Sequence, residues 1–106
     1  MNNIKQLFGL RVKELRLKQG LKQYQLGKLI KLNPKNISSI ETGNSFASAP
    51  TIDKLAKALN VAPQALFNFA HLQEPTNLKK NIIKKLDLLS AHDLQLIYRI
   101  IELYLK

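Results

Sequence analysis

The residues of this chain whose types and spacing could do chemistry are gathered in one stretch, residues 23–43, QYQLGKLIKLNPKNISSIETG. At helical spacing, Lys35, Ser38, Ser39 and Thr42 fall on the side away from Ile37 and Ile40. They are donors and acceptors without a nucleophile–base pair, a carboxylate dyad or a phosphate-cradling loop, so they suit recognition rather than bond-making. There is no cysteine, which removes disulfides, thiolate metal sites and cysteine nucleophiles. His71 and His92 have no second ligand at a recognisable spacing. No metal, cofactor or enzymatic activity is expected.

Two short helices must position those side chains. Leu26 and Ile30 share one helix face, Ile37 and Ile40 another, and the break lies at residues 31–33. Gly27 falls where the two helices should approach most closely. Asn33 and Pro34 make a good helix start: Asn caps free N–H groups, and Pro at the first position has the right φ and no N–H to satisfy. Gly43 is a natural stop, so the second helix is predicted over about 34–42.

This stretch resembles the helix-turn-helix of the phage Cro and CI repressor family, also called xenobiotic-response-element-like. The family pattern is met without a gap by Leu21, Gln23, Leu26, Leu32, Ile37, Ser38, Ile40, Glu41 and Gly43. Three positions depart from it: Gly27 replaces Ala, Lys31 replaces the turn Gly, and Asn33 replaces Ser. The resemblance covers about residues 7–69 and implies a five-helix lambda-repressor-like domain, with the helix at 34–42 in the major groove of DNA.

By the same resemblance, Pro34, Lys35, Asn36, Ser38 and Ser39 are nearest the base edges. Lys35 would donate to guanine or to a phosphate, Asn36 would pair with adenine if its side chain points outward, and Pro34 offers only an apolar contact. Phosphate contacts are expected from Lys22, Gln23, Thr42, Asn44 and Ser45, partly through backbone N–H groups of the loop after the helix. Arg16 is expected to pair with Glu41 and clamp the first helix to the third. Lys22 stands at a cap position where Ser or Thr is usual, and lysine cannot accept from the free N–H groups there. Lys31 stands where φ is usually positive, which costs a non-glycine residue roughly 1 kcal/mol.

The formal charge of +10 over 106 residues points to a polyanionic partner, nucleic acid before membrane. Residues 1–72 carry +8 of it and residues 73–106 only +2. No apolar run approaches the ~18–20 residues needed to cross a bilayer. No signal-peptide core is seen either. A cytoplasmic location away from membranes is expected.

The remaining elements follow from periodicity and caps. Ile4, Phe8, Val12 and Leu15 form the core stripe of a helix over 4–19. A fourth helix is predicted over 49–60, capped by Ser48, and a fifth over 63–70, with Leu66 and Phe67 inward. Phe46 should also tuck inward. Residues 1–72 are thus the DNA-binding domain and 73–77 a linker broken by Pro75. Residues 78–106 read as a helical hairpin, with helices over 78–89, capped by Asn77, and 91–105, with a capping box at 90–93.

In the last helix, Gln95, Arg99, Glu102 and Lys106 make one narrow polar stripe. Nearly everything else is apolar, so it must be covered on more than one side. The preceding helix covers one. A second copy of the chain is expected on the rest, through Leu94, Ile97, Ile100, Ile101 and Tyr104, the alternative being packing onto the first helix, whose Leu10 and Leu17 the core stripe does not need. The fold class is all-α. The function expected is a dimeric repressor reading an inverted-repeat operator in double-stranded DNA. Two rivals are kept: an antitoxin-type autorepressor whose hairpin binds a partner toxin, and a protein-interaction module with only non-specific DNA affinity.

Overall fold

The structure is a computed structural model and describes residues 3–106. It is all-helical, with no strand among the described residues. The chain divides into two compact units, the first ending at Gln73 and the second formed by Glu74–Lys106.

The first unit opens with helix α1, Ile4–Lys18. Asn3 and Gln6 cap it reciprocally: Asn3 Oδ1 accepts from the Gln6 N–H at 3.0 Å, and Gln6 Oε1 accepts from the Asn3 N–H at 2.9 Å. Helices α2 (Gln23–Ile30) and α3 (Pro34–Glu41) follow, then α4 (Ala49–Ala58). The core is built from Phe8, Val12 and Leu15 of α1, Leu26 and Ile30 of α2, Ile37 and Ile40 of α3, and Leu55, Ala56 and Leu59 from and just after α4. Leu66 closes it. Ile4, expected in the stripe, is 58% exposed, because it sits at the first helical position, a turn short of the part of α1 that the core covers. Phe46 and Phe67 are not enclosed either. Each lays its ring on the buried Phe8, with centroids 4.9 and 5.2 Å away, and leaves its other side to solvent.

The predicted fifth helix is shorter and tighter than expected. Pro63–Phe67 is a 3-10 turn, followed by a second one at Ala70–Leu72. The carbonyl of Ala65 is engaged by the Asn68 N–H three residues on and by Arg11 Nε at 2.8 Å. That arrangement ends the helix early while still delivering Leu66 to the core.

The second unit consists of α5 (Pro75–Leu86) and α6 (Ala91–Leu105). Pro75 does not break a linker but opens α5 at its first helical position, where its missing N–H costs nothing. Residues 75–77 are therefore helical, and Asn77 lies in the first turn rather than capping it. Ser90 caps α6, accepting from the Asp93 N–H at 3.1 Å. Neither helix buries a single residue: Ile100, Leu103 and Tyr104 are 60, 70 and 88% exposed. The apolar side of α6 is thus much less covered than one packed side would leave it.

Candidate nucleic-acid interface

Helix α3 is held from behind. Its apolar side, Ile37 and Ile40, is buried against α1 and α2. At Gly9 of α1 a Cβ would lie 2.3 Å from the Ile40 carbonyl oxygen and 2.6 Å from that of Glu41, so the two backbones meet directly. Asn33 caps α3 by accepting from the Asn36 N–H at 2.8 Å, and Pro34 follows at the first position. The outer side then carries Pro34, Lys35 and Asn36, all exposed, with Ser38 and Ser39 half-buried beside them.

The orientation of α3 is also fixed by charge. Arg16 and Glu41 form a two-pronged pair, Nε to Oε2 at 2.6 Å and Nη2 to Oε1 at 3.0 Å, with side chains 8 and 2% exposed. Arg16 Nη1 donates to the Leu21 carbonyl at 2.7 Å. Gln23 Nε2 donates to Glu41 Oε1 at 3.1 Å. One carboxylate therefore ties α1, the start of α2 and the end of α3 together, with one N–H of the Gln23 amide as a brace.

The turn between α2 and α3 shows how two departures from the family pattern fit together. Lys31 takes the left-handed conformation, with φ 60° and ψ 41°. The Leu32 carbonyl oxygen then lies 2.3 Å from where a Cβ on residue 27 would be, so only glycine fits there. At the start of α2, Lys22 supplies no side-chain cap. Gln25 Oε1 instead accepts from the Lys22 N–H at 2.8 Å.

After α3 the chain turns on itself. The Asn44 and Ser45 N–H groups both donate to the Ser39 carbonyl, at 3.0 and 3.2 Å, and the Thr42 hydroxyl donates to the Ser38 carbonyl at 2.9 Å. The loop N–H groups expected to face a phosphate are consumed in closing α3. What Asn44 and Ser45 offer outward is their side chains. A shallow concavity of about 360 Å³ is lined by Gln6, Leu10, Lys13, Gln23, Glu41 and Thr42. It places Lys13 beside two of the expected phosphate contacts. The signal for Lys13 lay in its spacing, three residues before Arg16 on the same helix side.

All three carboxylates of the first unit are engaged by their own cations. Glu41 meets Arg16, Asp53 meets Lys57 at 3.1 Å, and Glu14 is shared by Arg11 at 2.6 Å and His71 at 2.9 Å. Burial pushes the Glu14 carboxyl up, but the hydrogen bonds and charges of His71 and Arg11 outweigh it and hold Glu14 below its ordinary value. Lys5, Lys13, Lys18, Lys22, Lys28, Lys31, Lys35 and Lys54 are left with no carboxylate among the described residues. That surplus is the electrostatic footprint of a polyanion-binding surface. No group of residues suited to hold a metal occurs among the described residues, and no helix there is long and apolar enough to cross a membrane.

A helix-turn-helix anchored from behind by an internal ion pair, in a unit with a surplus of unpaired lysines, defines a class of DNA-binding regulator. Residues 12–66, more than half of the chain, match the family model described as helix-turn-helix, and the chain belongs to that family, in its Cro/CI-type branch. It is 41% identical over 69 residues to the control protein C.BamHI of Bacillus amyloliquefaciens, spanning 64% of this chain and 85% of that protein. The restriction-modification controller protein C.AhdI of Aeromonas hydrophila superposes with a TM-score of 0.57 at 39% identity, covering 58% of this chain and 94% of the other. The P22 c2 repressor, solved in complex with a synthetic operator, gives 0.55 at 31% identity over 57 and 92%. The chain is accordingly a transcription regulator of the helix-turn-helix kind and not an enzyme.

Proposed function

We propose that the chain binds an inverted-repeat operator as a homodimer and represses by occluding polymerase, acting in the cytoplasm. The observation that carries the dimer is the second unit: α6 is apolar over most of its circumference, yet no residue of α5 or α6 is buried. Fully burying one such side chain is worth about 1.5–3 kcal/mol. Covering Leu94, Ile97, Ile100, Ile101 and Tyr104 with a second copy therefore supplies ample driving force. Two copies of α3 then enter successive major grooves, about 34–36 Å apart. Pro34, Lys35, Asn36, Ser38 and Ser39 face the bases. Lys22, the second N–H of the Gln23 amide, and Thr42 once its hydroxyl turns from the Ser38 carbonyl, with the side chains of Asn44 and Ser45, face phosphates, and Lys13 joins them. One of the two relatives near 40% identity, C.AhdI, is a restriction-modification controller and the other, C.BamHI, a control protein, which favours restriction-modification genes as targets.

The test is selection of bound sites from a randomised duplex library at physiological salt, alongside sedimentation of the chain with and without residues 74–106. Enrichment of an inverted repeat by a dimer, and a monomeric truncated protein, are expected. A single enriched half-site removes the dimer. No enrichment at all transfers the function to a protein partner, a toxin among them, held by the hairpin.

A further inference from the structure

The second unit lies outside the family match and carries a charge pattern that α3 does not use. Helix α5 holds Lys79, Lys80, Lys84 and Lys85 and no carboxylate between Glu74 at its N-cap and Asp87 at its C-cap. All four lysines are exposed, and none enters an ion pair among the described residues. With about 3.6 residues per turn, Lys80 and Lys84 stand at the centre of the face opposite Leu78, Ile82 and Leu86. Lys79 and Lys85 instead border the apolar side, each about 60° from its centre. Lys84 and Lys85 have an ordinary role, since the last turn of a helix favours cations. Lys79 and Lys80 do not, and Lys80 with Lys84 is a like-charge pair one turn apart, which weakens an isolated helix. A face that keeps such charges exposed and unneutralised fits a polyanion.

We infer that this lysine face is a second DNA-contacting surface, gripping the phosphate backbone outside the stretch that α3 reads. The inference rests on the DNA-binding reading above. Only Gln73 and Glu74 separate the last turn of the first unit from Pro75. So short a tether holds the lysines at high effective concentration near any backbone that the first unit binds. The apolar side of α5 lies opposite Lys80 and Lys84, so pairing with a second copy leaves those two uncovered. Lysine acts here as a point charge, and the contact adds affinity and salt dependence without reading sequence.

The test compares the chain with its Lys80→Gln/Lys84→Gln variant on two duplexes sharing one core sequence. One is trimmed to that core and the other is extended by roughly two helical turns, ~20 base pairs, on each side. Affinity is measured from about 50 to 200 mM salt. The unaltered chain should show a steeper salt dependence on the long duplex. The variant should lose that excess, about 0.9 in log–log slope per phosphate contact removed, with unchanged sedimentation and short-duplex binding. Equal slopes for both proteins on the long duplex overturn the inference and leave α3 as the reader. An unaltered chain with no salt-dependent affinity for either duplex overturns both. A variant that keeps the DNA slope but no longer binds phosphatidylserine vesicles assigns the face to a membrane instead.

Discussion

Replacing Glu41 by Gln removes one charge from a nearly dry site. Three hydrogen bonds converge on that carboxylate, from Arg16 Nε, Arg16 Nη2 and Gln23 Nε2. Glutamine keeps one acceptor oxygen but turns an amide NH₂ toward the guanidinium, and the Arg16 charge is left buried without its counter-ion. Breaking a buried pair from one side costs about 3–5 kcal/mol, and the low end applies because one acceptor and the Leu21 carbonyl remain. A domain of this size has only about 4–11 kcal/mol in all, by the usual stability per residue. At roughly 4–8 °C per kcal/mol, Glu41→Gln should lower the melting temperature by at least about 12 °C. The informative companion is Arg16→Met/Glu41→Leu, which removes both charges. It should recover most of the loss, since apolar replacement of a buried pair is often neutral or better. It should nonetheless lose operator discrimination, because Gln23 and the end of α3 are no longer tied. Thermal melts of the three variants decide the matter. A Glu41→Gln protein melting within a degree of the parent, or a double variant as weak as the sum of its parts, would refute the reasoning.

Other outcomes follow from single sites. Lys35→Ala should flatten discrimination among operator variants more than it lowers total affinity, and a uniform loss across sequences in a binding titration reassigns Lys35 to phosphate. Lys31→Gly should raise stability by up to about 1 kcal/mol by relieving the left-handed conformation. Gly27→Ala, whose Cβ meets the Leu32 carbonyl, should destabilise by about 1–3 kcal/mol. Chemical denaturation reads both. Glu14 has a depressed folded pKa, so its contribution is present above the ordinary 4.5 and lost as pH falls through the folded value. The melting-temperature gap between the parent and Glu14→Gln should be full at neutral pH and vanish in acid.

What the sequence shows and hides follows from the range of the forces involved. Asn33, Pro34 and Gly43 bound α3 by local chemistry within a few residues, and so they are readable without a fold. Pro75 obeys the same local chemistry in two ways, ending one element or starting another, and the sequence alone favoured the first. The 3-10 turn at Pro63–Phe67 was hidden because Arg11, 54 residues away, engages the Ala65 carbonyl. Distance also hid Glu14 and His71, 57 residues apart. The pairing of Arg16 with Glu41 was approached only through family resemblance. The inward closure of the Asn44 and Ser45 N–H groups has no sequence signal, since it depends on where the Ser39 carbonyl points.

The close seat of α3 on Gly9 has a consequence for how this protein can change. The groups that hold the helix in place are backbone atoms, the Asn33–Pro34 start and the buried Ile37, Ile40 and Glu41, while the side chains of Lys35 and Asn36 are exposed and anchor nothing. The reading side is thus a detachable part of the sequence. New residues can be installed there, by selection or by design, and the scaffold that presents them stays as it is.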